Sequence, residues 1–89
     1  MTITSMTQFR AECELALVRW YNSHNKSKIT VADVFVVWSC KTPQNYKALL
    51  STTVSGDGIY AEYTYNGDRQ ELYEDVYKKL TNQCICINY

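Results

Sequence analysis

Residues 34–54 read VFVVWSCKTPQNYKALLSTTV, two β-forming runs around a short polar connector. Valine, phenylalanine and tryptophan crowd residues 34–38, and side chains of this kind fit a pleated, half-buried surface. A first strand is expected over residues 34–41. Its alternate positions are apolar on both sides: Val34, Val36, Trp38 and Cys40 on one, Phe35 and Val37 on the other. Such a strand sits centrally in a sheet or has its second face covered. Pro43 has no N–H to give to a ladder, which makes residues 41–45 the connector. A second strand follows over residues 46–54.

Working outward, Ser55-Gly56-Asp57-Gly58 is a hairpin loop with two glycines free to take positive φ. Residues 59–65 then alternate as a third strand. Ile59, Ala61, Tyr63 and Tyr65 face one way, and Tyr60, Glu62 and Thr64 the other. Short connections at both ends predict an antiparallel meander.

On the N-terminal side, Met6, Phe9, Cys13, Ala16, Leu17 and Trp20 recur at three- and four-residue steps. This predicts an amphipathic helix over residues 6–23, with Ser5 and Gln8 at capping-box spacing. Thr30 and Asp33 share that spacing ahead of the first strand, which suits one helical turn. On the C-terminal side, Asn66-Gly67 turns the chain out of the sheet. Asp68 with Glu71 is placed to cap a second helix running to Leu80, with Leu72, Val76 and Leu80 at four-residue steps. Glu71, Glu74 and Asp75 lead that segment and Lys78-Lys79 close it, the order a helix macrodipole prefers. The tail Gln83-Cys84-Ile85-Cys86-Ile87 alternates as a short strand would, or packs as an extended arm.

The expected order is α-β-β-β-α. The 89 residues form a single domain, residues 1–89, of the α+β class. Its architecture is a two-layer sandwich, a three-stranded antiparallel meander with two helices on one face and the tail as a short C-terminal strand or an arm.

Composition narrows the function classes. Nine basic and nine acidic residues give zero formal net charge. Neither the basic excess that phosphate neutralisation demands nor the acidic excess of a DNA mimic is present, which makes nucleic acid a poor partner. The first residues lack a charged segment followed by an apolar core, and no apolar run approaches the roughly 20 residues that cross a bilayer. A cytoplasmic protein with reduced thiols is expected, and no membrane partner.

Little in the chain carries chemistry. Cys84-x-Cys86 lacks the second ligand pair of a structural zinc site, and Cys13 and Cys40 belong to other apolar faces. Buried, reduced thiols are the better reading, with no metal and no cofactor. His24, the sole histidine, falls in a polar helix end with no evident nucleophile beside it. Gly56, Gly58 and Gly67 are all accounted for by turns. No catalytic residue is assigned, and no enzyme is expected.

The segments VFVVWSCKT, QN, KALLSTT and YNGD, followed by an acidic-then-basic segment ending in YKK, resemble a family of short proteins. Phages and prophages of Gram-positive bacteria encode them, and the domain has no assigned activity. The likeness runs from about residue 30 to residue 80. It implies a phage origin and action in the cytoplasm of the bacterial host, and it transfers no catalytic residue.

What remains is a surplus of apolar and aromatic side chains, including eight tyrosines and two tryptophans. If Val34, Val36 and Trp38 pack against the helices, Phe35 and Val37 emerge on the open sheet face; the reverse assignment exposes Trp38. Either the tail covers that face or it binds protein. The reading is a small non-enzymatic phage protein that binds a host or phage protein, in host takeover or counter-defence. Phe35, Trp38, Lys41, Asn45, Lys47 and Tyr60 are its expected contacts. An alternative is a weak nucleic-acid binder like a double-stranded-RNA-binding domain, using Lys41, Lys47, Lys78 and Lys79. A homodimer pairing its open faces about a two-fold axis is a third.

Overall fold

A computed structural model describes residues 2–87. Helix α1 spans Met6–His24. The Ser5 side chain accepts from the Gln8 backbone N–H at 3.2 Å. The expected return bond lands one residue early, with Gln8 Oε1 accepting from the Thr4 N–H at 3.0 Å. Phe9, Cys13, Leu17 and Tyr21 are the buried stripe at four-residue steps, with Met6, Ala16 and Trp20 packed at its margins. Past the helix, Asn22 clamps the polar loop. Its side chain accepts from the Ile29 N–H at 2.8 Å and donates to the Ile29 carbonyl at 3.1 Å. Thr30 and Asp33 complete a capping box on a 3-10 turn at Val31–Asp33.

Four strands follow: β1 Val34–Thr42, β2 Asn45–Thr52, β3 Ile59–Asn66 and β4 Glu71–Lys78. They form one antiparallel sheet in the order β1-β2-β3-β4. The expected α+β meander is present, but with one helix and four strands. The segment expected as a second helix is β4, paired along its full length with β3 from Ile59↔Lys78 to Asn66↔Glu71. The physical reason is that a step of four residues fits both periods. Leu72 and Val76 share a helix face, and they equally share one face of a strand. Tyr73, Val76 and Tyr77 are good strand residues, and β3 offered a free edge to pair with. The Asn66 side chain accepts from the Asp68 and Arg69 N–H groups at 3.0 and 3.3 Å. That makes a tight turn in which Asp68 is not a helix cap.

The core is one cluster between α1 and the sheet. Tyr46, Ala48 and Leu50 on β2 and Ala61, Tyr63 and Tyr65 on β3 are all at most 5% exposed. Phe9 stacks on Tyr46 with ring centroids 5.3 Å apart, and Tyr46 leans on Tyr65 at 6.2 Å. The Tyr65 hydroxyl accepts from the Ile3 N–H at 3.2 Å, tying the N-terminal segment to β3. Helix α1 packs over β1 and β2 and, at its margin, β3. The covered side of β4 is consequently less enclosed, with Leu72 and Val76 only half-buried.

Two hairpin tips lock together at one end of the sheet. Pro43-Gln44 is the two-residue loop between β1 and β2, and Gln44 has φ of 73°, the positive value that the third position of a type II turn takes. The Gln44 carbonyl accepts from the Gly67 N–H at 2.8 Å. A Cβ on Gly67 would lie 2.1 Å from that oxygen, so only glycine permits the approach.

No helix of the described residues is long and apolar enough to cross a membrane. Residues 79–87 carry no regular structure and are exposed, so the tail forms neither the expected short strand nor a packed arm. Leu80, Ile85 and Ile87 are 94%, 73% and 66% exposed.

Candidate binding surface

The site begins with one extra residue. Val36 pairs with Leu50, yet Trp38 pairs with the next residue, Leu49, leaving Val37 as a β-bulge. A bulge adds a residue without a partner and shifts the alternation by one position. Before it, Val34 and Val36 face the core. After it, Trp38 and Cys40 turn to the side opposite α1, where Phe35 and Val37 already lie. The strict alternation expected from the sequence, which exposed either Phe35 or Trp38, is overturned: both occupy the open face.

The register gathers the rest. One row across the open face runs Phe35, Ser51, Tyr60, Tyr77, and the next runs Trp38, Leu49, Glu62, Asp75. A third holds Cys40, Lys47, Thr64 and Tyr73. Phe35, Val37, Trp38, Tyr73 and Tyr77 are 41–54% exposed. The face is apolar along β1 and acidic toward β4. Lys47 pairs with Glu62 at 3.6 Å, while Asp75 stands directly opposite Glu62, a like-charge juxtaposition that costs stability. Glu71 accepts a hydrogen bond from the Tyr73 hydroxyl, which raises the phenol above its ordinary pKa.

Of the six expected contacts, Phe35, Trp38, Lys47 and Tyr60 share this face. Asn45 sits at the hairpin tip, its side chain accepting from the Gly67 N–H at 3.3 Å. Lys41 lies on the helix side of the sheet, its ammonium 5.5 Å from the Tyr46 ring centroid. Val37 lies beside Phe35, as one of the two expected assignments has it; Leu49, Tyr73 and Tyr77 are additions to the expected face. The β-forming residues Tyr73, Val76 and Tyr77 were the available signal for β4. The tail does not cover the face, since its own apolar side chains are exposed.

The chemistry-bearing groups are dispersed. Cys13 alone among the cysteines is buried; Cys40, Cys84 and Cys86 are exposed, which corrects the expectation of buried thiols. Burial, then the nearby carboxylates Glu12, Glu14 and Glu74, push the Cys13 thiol up to about 12, leaving it un-ionised and unreactive near neutrality. The Tyr63 hydroxyl donates to Glu74 at 2.6 Å; burial first and this bond second hold the phenol well above its usual range. His24 stacks on Trp20 at the end of α1, its Nδ1 2.8 Å from the Trp20 carbonyl. Among the described residues, no group of three or more His, Cys, Asp or Glu is placed to hold a metal ion.

Residues 10–87 match a family of unknown function, DUF6275, and the chain belongs to it. No curated protein and no solved structure matches the chain.

Proposed function

We propose that this DUF6275 protein is a non-catalytic binding protein that engages a protein partner through its open sheet face. The observation that carries this reading is the bulge at Val37, which places Phe35, Val37 and Trp38 together on one uncovered surface. Aromatic anchors flanked by polar groups are the composition of binding hot spots. The partner is a host or phage protein in the bacterial cytoplasm, as the phage resemblance implies, and the action is host takeover or counter-defence.

The nucleic-acid alternative loses its support. Its topological basis required a second helix, and β4 stands there instead. Lys47 is paired with Glu62, Lys41 points to the other side of the sheet, and Lys78 shares the helix-side register with Ile59. Lys41, Lys47 and Lys78 therefore form no continuous basic track among the described residues.

The test is capture from bacterial lysate by tagged protein after nuclease treatment, comparing wild type with Trp38→Ala and Phe35→Ala. A stoichiometric protein retained by wild type and lost with both folded variants supports the reading. Capture that vanishes with nuclease, or that ignores both substitutions, overturns it.

A further inference from the structure

The sheet has two free edges, and they differ. The β4 edge, ELYEDVYK, carries Glu71, Glu74, Asp75 and Lys78, whereas the nine residues of β1, VFVVWSCKT, carry one charge, Lys41. Charged side chains are the usual protection of an edge strand against pairing with another chain. Besides its pairing with β2, no backbone hydrogen bond reaches residues 35–42 among the described residues. The β4 edge is charged along its length, whereas β1 carries only Lys41 and the bulge at Val37, and beyond the bulge residues 38–42 are regular.

We infer that β1 pairs antiparallel with β1 of a second copy, joining two sheets into one of eight strands. A second copy suits this edge because ladder hydrogen bonds are self-complementary and the edge carries almost no charge to repel its twin. On β4 the two registers that would pair most of the strand, centred on Glu74 or Asp75, each set a carboxylate against its own copy.

The bulge selects the segment and the register. It interrupts β1 at Val37 and leaves Trp38–Thr42 in unbroken pairing with β2. A two-fold axis normal to a sheet keeps each side chain on its own face, so one residue must pair with itself. Centring on Lys41 opposes two ammonium groups, and centring on Ser39 runs into the bulge. Centring on Cys40 pairs all five residues: Trp38 with Thr42 of the second copy, Ser39 with Lys41, and Cys40 with Cys40. The open faces then merge, with the two Trp38 side chains flanking the axis. This interface uses the strand edge rather than the face, so it stands or falls independently of the partner reading.

The experiment is sedimentation velocity on the full chain up to about 500 μM, a range that detects weak association. The expected result is a mass rising with concentration toward twice the 10.3 kDa of one chain. Cys40→Lys, with helix and sheet content checked by circular dichroism, should weaken association at least about tenfold by opposing two lysines. Cys40→Ala should keep it. Independently of how the lysine variant folds, copper-phenanthroline oxidation of Cys84→Ser/Cys86→Ser protein should give covalent dimers bridged at Cys40, since paired Cα atoms fall within disulfide range. A wild type that stays monomeric throughout overturns the proposal. So does a dimer that a folded Cys40→Lys variant leaves intact and that oxidation does not bridge at Cys40.

Discussion

On the helix-covered face of the sheet, Tyr46, Tyr63 and Tyr65 are at most 5% exposed; on the opposite face, Tyr73 and Tyr77 are 45% and 54% exposed. The two sets have the same chemistry and lie in one sheet. Coverage by α1 separates them. Beneath the helix, a tyrosine contributes ring packing and must find a partner for its hydroxyl, as Tyr63 does in Glu74. On the uncovered side the same residue type leaves its ring available. Hydrophobicity alone does not distinguish a core from a binding face; the distinction rests on which side the single helix takes.

The comparison breaks most visibly if a core side chain is shortened. Leu17 is fully buried against the sheet, and Leu17→Ala should cost about 2–5 kcal/mol in urea unfolding. Trp38→Ala, a larger truncation on the open face, should cost about 1 kcal/mol. Equal losses would make Trp38 a core residue and remove the basis for the proposed surface.

A backbone change at the locked hairpin tips should come next. Gly67→Ala drives a methyl into the Gln44 carbonyl, and the tips must part or the strands shift. A loss of about 1–3 kcal/mol is expected, measured by the same unfolding experiment. No loss would mean that the contact between tips is dispensable.

Alkaline pH should separate the faces without a mutation. The folded protein holds the Cys13 thiol at about 12 against an ordinary 9.0, so the fold retains a proton that the unfolded chain gives up more readily. The stabilisation is full below about pH 9 and falls as pH rises toward 12. Tyr63, also raised by burial, adds to the decline above the ordinary tyrosine range. The urea midpoint should therefore drop between pH 8 and about pH 10.5, and Cys13→Ala should flatten the early part of that drop.

The smallest effect should be a gain. Asp75 faces Glu62 across the open surface, and Asp75→Lys replaces repulsion by attraction, adding about 0.2–1 kcal/mol. If this variant is also impaired in partner capture, the acidic row is part of the binding surface, retained at a cost in stability.

Local patterns made much of this legible. The stripe of Phe9, Cys13 and Leu17, the alternation of residues 59–65 and the Pro43 connector each have one good reading, and the structure follows them. Residues 71–78 have two. The four-residue step of Leu72 and Val76 and the acid-to-base charge order satisfy a helix, and only the free edge of β3, a non-local partner, tips the balance to a strand. The bulge at Val37 has no local signature, because valine fits a strand whether or not it is paired. Yet that single insertion determines which face Trp38 occupies. The candidate surface was thus half visible: its residues could be named from the sequence, but their assembly depended on a register set across strands.

The order of the sheet also bears on how the chain is made. Each strand pairs with the one synthesised just before it, so hairpins can close in turn as a nascent chain leaves the ribosome. Helix α1 emerges first, yet its buried stripe has no complete platform until Tyr63 and Tyr65 have appeared. Until then Phe9 and Leu17 are exposed, and the growing polypeptide must pass through that interval without associating with its neighbours. β4, the strand least sheltered by the helix, is the last part of the sheet to be added.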